Sequence, residues 1–445
     1  MMLFSFILFA ILFINVNSSS SNCTNRELIE QSLNKVHIPG AVIIVVDANN
    51  ILYEQAFGYQ SLTSLKPMDI DQSIFALASI SKTFIAVAVM QLVEKKLVNL
   101  DTDINMYLSD NRKIFHPIYT NNSITLRKLL SHSASIAVDS VLQSTFFQPG
   151  DNAFLKETLS DLCFKYLNPN TSNWLPRPPG NVTFYSNEGT SLAALVVERI
   201  TKMSYDKYVE ENIFKPLNID ISKTGVRLSD FSDTNEFVEH YAYNASLLPL
   251  WNQEFPLLNI TQMKGNLSTW LHISLFGFSG YPAGLLRMSA RSLSLFLRMF
   301  INNGYPLLSS ESIIEMKTIV GNNQIYPYQP NFDNNSSQQL PTRRYGLCWN
   351  WRTLSDGRQY IGHGGTLPGM THLMLVNEKH NTGVIILTNS DTNAPIDLTP
   401  QIFETIENIH MSLFKCFEKN HANSFLWNSN QLFLGFYILF TILNR

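Results

Sequence analysis

Residues 75–84 read Phe-Ala-Leu-Ala-Ser-Ile-Ser-Lys-Thr-Phe, and they decide how the rest of the chain is interpreted. They contain a Ser-x-x-Lys tetrad, Ser79 to Lys82, and open an apolar run that continues to Val93. Side chains three residues apart on a helix share one face, so the Lys82 amine can reach the Ser79 hydroxyl. A serine becomes a nucleophile when a nearby base takes its proton, and a buried, neutral lysine is such a base. The stretch therefore predicts a nucleophile at the start of a helix.

Length and composition describe a globular protein. The 445 residues can bury a large core, as one large domain or two ordinary ones. The chain is 45% hydrophobic and 15% charged, which is ordinary for a folded protein. The net charge of -3 gives no reason to expect a nucleic-acid partner. The ten histidines are scattered and no His-Glu-x-x-His occurs, so neither a metal site nor a cofactor is expected.

The N-terminus has the layout of a secretory signal peptide. An apolar run from Leu3 to Val16 is followed by Asn17 and four serines, although no basic residue precedes it. The run is shorter than the roughly 20 residues that a membrane-spanning helix needs, which disfavours a membrane anchor. We expect residues 1–20 to be a signal peptide and the protein to enter the secretory pathway, toward the cell surface or the extracellular space.

The C-terminal tail, residues 418–445, is the predicted point of membrane attachment. Leu432 to Leu443 is almost wholly apolar and follows a polar spacer. This is the layout of a lipid-anchor signal, with attachment near Asn423-Ser424. A short membrane helix and a helix docked on the body fit the same pattern, and all three alternatives stay open.

Glycosylation sequons and cysteines bear on the cellular compartment in which the protein is expected. Ten Asn-x-Ser/Thr sequons occur, which permits glycosylation in a secreted protein but is also expected from the high Asn and Ser content. Four cysteines show no zinc-binding spacing, and in an oxidising compartment they allow one or two disulfides whose pairing the sequence leaves open. They are Cys23, Cys163, Cys348 and Cys416.

Strand signals lie in two groups at opposite ends of the chain. Ala41 to Ala48 and Ile51 to Tyr59 flank an Asn-Asn turn, the pattern of a β-hairpin. Short turns favour adjacent antiparallel strands, so the two groups are predicted to form one sheet. Residues of about 85–290 are mostly helical patterns and loops, a helical insert beside the sheet with a cleft between them. Later strands are predicted at 345–351, 359–363, 371–376 and 383–388, and a helix at 402–417.

Three motifs follow one another at wide spacing. They are Ser79-Ile80-Ser81-Lys82, then Tyr185-Ser186-Asn187, then His363-Gly364-Gly365. In these motifs the chain resembles the serine β-lactamase and penicillin-binding-protein superfamily, nearest to its class C and β-lactamase-related esterase and peptidase branch. The resemblance covers residues of about 27–415. It implies an α/β (α+β) fold of the β-lactamase/transpeptidase type, in which an antiparallel sheet flanked by helices carries a mostly helical subdomain.

The resemblance assigns a role to each motif residue. Ser79 is the nucleophile and Lys82 the base or proton shuttle. A free lysine titrates near 10.4 and useful bases near 7 to 8, so the site must lower the Lys82 pKa by about 3 units, or roughly 4 kcal/mol. Tyr185 is the rival base and the acid toward the leaving group. Asn187 binds both Lys82 and a substrate amide through its carboxamide.

The third motif supplies the oxyanion hole and the substrate-binding strand. The resemblance implies that the backbone amides of Ser79 and Thr366 form the oxyanion hole. Gly364 and Gly365 let substrate approach the strand closely. His363 stands where β-lactamases and peptidoglycan enzymes carry a lysine that binds the substrate carboxylate. Because a histidine is mostly neutral at pH 7, we expect preference for ester or neutral amide substrates.

Two other segments depart from the family pattern. Relatives usually carry His-Thr-Ser-Gly-Leu where this chain has His132-Ser133-Ala134-Ser135-Ile136, so a loop that needs glycine is expected to be reshaped. A Gly-Gly pair is reduced to Gly284-Leu285. Both are expected to alter the mouth of the cleft. His132 is interpreted as a structural residue and is left out of the predicted site.

The sequence therefore predicts a secreted or surface-anchored serine hydrolase that acts through an acyl-enzyme on a small-molecule, ester or peptide substrate. One alternative is a catalytically inactive relative that serves as a binding or assembly module. Another is a true β-lactamase or D-Ala-D-Ala peptidase. No Gly-x-Ser-x-Gly elbow occurs, which disfavours an α/β-hydrolase. The natural substrate, the acyl acceptor and the oligomeric state stay open.

Overall fold

A computed structural model describes residues 25–108, 112–329, 343–391 and 400–418. Its centre is an eight-stranded sheet, antiparallel at every pairing. The strands of this sheet are β1 Gly40–Val46, β2 Ile51–Ser61, β3 Lys66–Pro67, β13 Arg343–Tyr345, β14 Asn350–Thr353, β15 Gln359–Leu367, β16 Met370–Asn377 and β17 Thr382–Thr388. Their order across the sheet is β13-β14-β15-β16-β17-β1-β2-β3.

The remaining strands are short and lie between the two groups in sequence. They pair as β4 with β11, β5 with β10, β6 with β12, and β7 and β8 on either side of β9. Their bounds are β4 Phe75–Ala76, β5 Phe147–Pro149, β6 Val182–Thr183, β7 His240–Tyr243, β8 Ile260–Gln262, β9 Trp270–Ile273, β10 Phe276–Phe278, β11 Arg287–Met288 and β12 Tyr326–Pro327.

Helices cover both faces of the central sheet. Two of them position the site: α2, which carries Lys82, and α7, which begins at Asn187. The helices are α1 Arg26–Lys35, α2 Ser81–Glu94, α3 Leu126–Leu130, α4 Ser140–Ser144, α5 Asn152–Lys156, α6 Leu159–Tyr166, α7 Asn187–Thr201, α8 Tyr205–Val209, α9 Leu248–Glu254, α10 Ala290–Ile301, α11 Ser310–Lys317 and α12, residues 400–418.

Strand β1 shows why the sheet is covered on both sides. Every residue of β1 is buried, because successive side chains of a strand point to opposite faces and both faces are packed here. Val42, Ile44 and Val46 join the larger core with α2, α7 and α10. Ala41, Ile43 and Val45 join a second core with α1 and α12. A continuous apolar run thus forms a central strand, not an edge strand.

The predicted sheet is confirmed, with one wrong strand. The early hairpin pairs with β17 through β1, so the two chain ends share one sheet as expected. The predicted strand at 345–351 is wrong, because β13 and β14 are separated by a turn at 346–349. In that turn Cys348 has φ of 56°, a left-handed conformation that ends an extended strand. Leu347 and Cys348 donate their N–H groups to Met316 and Leu130 instead of to a neighbouring strand.

The predicted signal peptide at 1–20 and the tail beyond residue 418 lie outside the described residues. Within the described part of the chain, no helix is both long and apolar enough to cross a membrane. Cys163 and Cys348 are free and buried, whereas Cys416 is in a disulfide bond.

Candidate active site

Ser79 lies in a short 3-10 turn, Ala78–Ile80, between β4 and α2. The chain enters this turn through Leu77, whose N–H donates to the Leu286 carbonyl at 2.8 Å. Ala78 has φ of 47°, so the backbone reverses sharply just before the nucleophile. Ser79 is partly exposed while its neighbours Ala78 and Ile80 are fully buried. Ser79 is therefore the accessible residue of this turn, between two buried neighbours.

Lys82 is fully buried in the first turn of α2, and its amine has three partners. It donates to the Ser79 hydroxyl at 3.0 Å, to Asn187 Oδ1 at 2.7 Å and to the Ala283 carbonyl at 2.6 Å. Burial lowers the pKa of Lys82 to about 7, partly opposed by Cys348 and Glu188. This value falls in the range that the sequence argument required of a lysine base.

The Tyr-x-Asn motif lies where the chain enters α7. Ser186 is the N-cap and accepts from the Gly189 N–H, and Asn187 is the first helical residue. Lys82 Nζ lies 4.9 Å from the centre of the Tyr185 ring. The Tyr185 hydroxyl is buried and has no hydrogen-bond partner in the described part of the chain. The Ser79 hydroxyl lies close enough to lower the pKa of Tyr185, but the two hydroxyl groups are not in hydrogen-bond geometry.

Electrostatics keep the Tyr185 phenol protonated. Burial raises its pKa above the ordinary value, and the nearby Ser79 hydroxyl opposes only part of the rise. A phenolate is strongly disfavoured where the oxygen is buried and accepts no hydrogen bond. Tyr185 is therefore arranged as a proton donor, and Lys82 is the better base of the two.

His132, which the sequence argument left out, holds the Tyr-x-Asn loop at three successive residues. Its carbonyl accepts from the Phe184 N–H at 2.8 Å, and its Nδ1 accepts from the Ser186 N–H at 3.2 Å. Its ring centre lies 4.3 Å from that of Tyr185. Burial and the Lys82 charge lower the pKa of His132 to about 3, so the ring is neutral. A ring that accepts at Nδ1 carries its proton on Nε2.

His363 is buried beside the same tyrosine instead of lining an open subsite. Only 3% of its surface is exposed, and its ring centre lies 6.2 Å from that of Tyr185. Its Nδ1 bonds to the Gly364 carbonyl. Burial, reinforced by the Lys82 charge, lowers its pKa well below the ordinary value, so it is neutral. The site therefore has a neutral imidazole at this position.

Strand β15 lies against the nucleophile turn. A Cβ on Gly365 would be 2.8 Å from the Leu77 carbonyl oxygen and 3.0 Å from the Ser79 nitrogen, so only glycine allows this approach. In the described residues β14 pairs with β15 only as far as Gly362, and the stretch beyond it pairs with β16 alone. The stretch of β15 around Gly365 thus packs directly against the Ser79 turn, and Thr366 follows Gly365 in the part of β15 that β14 leaves unpaired.

The altered loop has a left-handed residue that is not glycine. Ser135 stands at the position of the expected glycine and has φ of 58°. Its hydroxyl is buried and has no hydrogen-bond partner among the described residues. The chain therefore accepts a serine in a backbone conformation that favours glycine, which strains this position. In the second altered segment, Leu285 is fully buried in the core, next to the Ala283 and Gly284 turn.

Sequence reasoning missed several groups around Lys82. Ala283 contributes only a backbone carbonyl, which leaves no signal in the sequence. His372 on β16 bonds through Nε2 to the Ala76 carbonyl at 2.9 Å and ties the strand before Ser79 to the sheet. Glu188 directly follows the Tyr-x-Asn motif and is 1% exposed. No cluster of three metal-ligating side chains occurs among the described residues.

Comparisons with known proteins show the family of this chain. The chain matches the family Beta-lactamase over residues 25–405. Protein flp of Staphylococcus aureus (strain N315) is 23% identical over 372 residues, which make up 82% of this chain and 62% of that protein. The chain thus spans about three fifths of the length of this curated relative.

Two solved structures share the fold. An octameric penicillin-binding protein homologue from Pyrococcus abyssi aligns with a TM-score of 0.65 and 20% identity, covering 85% of this chain and 76% of its own. A D-amino acid amidase from Ochrobactrum anthropi SV3 aligns with a TM-score of 0.66 and 18% identity, covering 89% of this chain and 99% of its own. At these identities the likeness shows a common architecture.

Proposed function

The chain belongs to the Beta-lactamase family of serine hydrolases related to penicillin-binding proteins, and we propose that it hydrolyses ester or neutral amide substrates through an acyl-enzyme on Ser79. The observation that carries this proposal is the Lys82 amine, which lies 3.0 Å from the Ser79 hydroxyl and 2.7 Å from Asn187 Oδ1. Its burial lowers the pKa to about 7, so about half of the molecules hold a neutral base at neutral pH.

The first half-reaction follows from these positions. Neutral Lys82 takes the hydroxyl proton as Ser79 Oγ attacks the substrate carbonyl, and the oxyanion accepts hydrogen bonds from the Ser79 and Thr366 amides. The C–O or C–N bond then breaks. Tyr185, which is protonated, gives its proton to the leaving group and is reprotonated by the Lys82 ammonium. Water releases the acyl group by the reverse sequence of proton transfers.

The neutral His363 sets the proposed substrate class. Strand β15 offers no cation to a substrate carboxylate next to Ser79, because His363 is buried and uncharged. Arg352 of β14, which lies against Gly364, is buried and paired with Glu407 at 3.6 Å. An ester or an amide without a nearby carboxylate does not require a cation at this position. The D-amino acid amidase among the structural neighbours is a protein of this fold whose name denotes an amide substrate.

A fluorophosphonate probe tests the enzyme against the alternative of an inactive binding module. We expect the folded protein to be labelled at Ser79 and the Ser79→Ala variant to be unlabelled. Thermal unfolding of both proteins provides the control for folding. Absence of labelling in folded wild-type protein would support the binding module and reject the hydrolase.

Substrate preference has a separate test. Turnover of a short-chain p-nitrophenyl ester is compared with turnover of a chromogenic cephalosporin, and we expect the ester to be cleaved faster. Faster cephalosporin cleavage would support a true β-lactamase and contradict the role given to His363.

We further propose entry into the secretory pathway. Five of the sequon asparagines in the described residues are exposed, which leaves them open to glycosylation. Treatment of the native protein with an amidase that removes N-linked glycans would lower its mass if the proposal holds. An unchanged mass would remove this support. The exposed residues are Asn121, Asn170, Asn181, Asn259 and Asn266.

A further inference from the structure

The nucleophile turn has few local restraints of its own. Ala78–Ile80 is a three-residue 3-10 turn whose N-cap, Leu77, makes no side-chain cap hydrogen bond. The strand before the turn, β4, has only two residues. Ala78 has φ of 47°, a conformation that a residue other than glycine keeps only when its surroundings hold it there. The position of Ser79 therefore depends on what β4 is attached to.

One side of β4 is held by backbone hydrogen bonds to β11. The Leu77 N–H donates to the Leu286 carbonyl at 2.8 Å, directly beyond the paired residues of the two strands. In an antiparallel pair such bonds come from alternate residues, so Ala76, which precedes Leu77, turns its carbonyl away from β11. The Ala76 carbonyl is thus left for a partner on the other side of the strand.

His372 of β16 is that partner. Its Nε2 donates to the Ala76 carbonyl at 2.9 Å, and its Nδ1 accepts from the Thr388 N–H at 3.2 Å. Because Nδ1 accepts, the proton of the neutral ring is on Nε2. The ring is 1% exposed, and its centre lies 5.9 Å from that of Phe75, edge to face. Burial lowers the pKa of His372 to about 4, which keeps the ring neutral at pH 7. One imidazole thus connects β4 to β17 across β16.

His372 is also the cross-strand neighbour of the glycine that lies against the nucleophile. Gly365 of β15 is paired with His372, so the two side-chain positions share one face of the sheet. A Cβ on Gly365 would lie 2.8 Å from the Leu77 carbonyl oxygen and 3.0 Å from the Ser79 nitrogen. On this face the glycine leaves room for the turn, and the histidine beside it bonds to the strand that leads into the turn.

We infer that His372 is a positioning residue for the oxyanion hole, and that its bond to Ala76 holds the Ser79 amide in place against β15. The second proposed donor, the Thr366 amide, lies on β15, which pairs with β16. The segments that carry the two amides are therefore each joined to β16, one by backbone pairing and the other by the His372 side chain. His372 contacts no reacting atom, and the inference rests on the proposed hydrolase.

A displaced amide would affect the transition state more than substrate binding. Negative charge develops on the carbonyl oxygen only as Ser79 attacks, so the two amides bind that oxygen more strongly in the transition state than in the ground state. Loss of the His372 bond should therefore lower kcat and leave KM nearly unchanged. It should also weaken binding of a boronic acid, whose tetrahedral adduct with the serine places an oxygen where the oxyanion forms. A histidine that only stabilises the fold would change the unfolding temperature without either effect.

Two substitutions separate the roles of the two ring nitrogens. In His372→Asn the carboxamide oxygen replaces Nδ1 as the acceptor for Thr388, but the side chain is too short to reach Ala76. In His372→Gln the carboxamide nitrogen replaces Nε2 as the donor to Ala76, and Thr388 loses its acceptor. We expect His372→Asn to lower kcat for a short-chain p-nitrophenyl ester by about 10- to 100-fold, and to raise the Ki of phenylboronic acid by a similar factor. His372→Gln should stay close to the wild type in both measurements.

His410→Asn is the matched control. His410 is a buried histidine of α12, which packs on the other face of the sheet. Its Nε2 bonds at 3.1 Å to the carbonyl of Leu373, the residue after His372. His410→Asn should lower the Tm and leave kcat and Ki unchanged. Thermal unfolding shows whether each variant is folded at the assay temperature. If His372→Asn is not folded, His372→Phe replaces it with the same expected losses, because the phenyl ring fills the space of the imidazole without a donor.

The outcomes separate this inference from the proposed function. A folded wild-type protein that is never labelled by the fluorophosphonate contradicts the hydrolase itself. An active wild type and a His372→Asn variant with unchanged kcat and Ki overturn the inference and leave the hydrolase standing. Equal losses in His372→Asn and His372→Gln also overturn it, because the donor to Ala76 is then not the cause. Equal losses in His372→Asn and His410→Asn overturn it as well, since the effect would be one of stability.

Discussion

The Lys82 amine donates to the Ala283 carbonyl at 2.6 Å, although the two residues are 201 positions apart. This bond holds the amine at the back of the site, between the nucleophile on one side and Asn187 on the other. A backbone carbonyl accepts a hydrogen bond from the Lys82 amine but carries no net negative charge that would balance an ammonium. The bond therefore orients Lys82 without preventing the loss of its proton.

Lys82→Met is expected to abolish labelling and stabilise the protein. The folded pKa of Lys82 is about 7, below the unfolded value near 10.4. Between these values the unfolded chain binds more protons than the folded protein, so wild-type stability rises with pH. Below pH 7 the buried ammonium lowers the free energy of unfolding by its full amount, about 4 kcal/mol. Lost hydrogen bonds offset part of the gain, which leaves about 2 kcal/mol at pH 7 and less at pH 10. Denaturant unfolding at both pH values provides the measurement, and a destabilised variant at pH 7 would contradict it.

Tyr185→Phe is expected to lower kcat by about 100-fold or more, because the leaving group loses its proton donor while the nucleophile and base remain. KM should change little. Tyr205→Phe is the matched control, since Tyr205 is also buried with a hydroxyl that has no described partner. Steady-state kinetics with a p-nitrophenyl amide would measure the effect. Equal losses in the two variants would assign the effect to packing.

His132→Asn is expected to keep more activity than His132→Leu. An asparagine accepts the left-handed φ of 57° at this position, and its Oδ1 can take the Ser186 N–H in place of Nδ1. Leucine offers no acceptor and leaves that N–H unpaired. We expect kcat to fall about tenfold in the leucine variant, for a lost hydrogen bond of about 1.4 kcal/mol. If both variants match the wild type, His132 does not position Tyr185.

Ser135→Gly is expected to raise stability by about 1 kcal/mol. Glycine adopts φ of 58° without strain, and the substitution removes a buried hydroxyl that has no described partner. The greater freedom of glycine in the unfolded chain subtracts from this gain. Ser133→Gly in the same loop is the control and should destabilise, since the Ser133 hydroxyl bonds to Ser131 at 2.9 Å. Thermal unfolding would show the difference, and a lower Tm for Ser135→Gly would disprove the strain argument.

Most of the central sheet was predictable because its strands are local patterns. The hairpin of β1 and β2 and the strands β16 and β17 follow from strand-favouring residues between short turns, and β15 continues beyond the predicted 359–363 to Leu367. The stretch 345–351 was wrongly predicted as one strand because its residues favour strands. The turn that interrupts it depends on Cys348 in a left-handed conformation. Cysteine is not a residue type that indicates a left-handed turn position. The bonds that stabilise the turn come from Met316 and Leu130, which are distant in sequence.

The sequence by itself determined the chemical groups of the site, since Ser79, Lys82, Tyr185 and Asn187 are set by motif spacing along two helix starts. Only the tertiary structure decided their protonation states. Burial lowers the pKa of Lys82 to about 7 and keeps Tyr185 protonated, and burial depends on segments that meet only in the folded chain. The contacts of Ala283 and His132 also depend on the tertiary structure, because a carbonyl and a ring nitrogen from distant segments reach the site only in the folded chain.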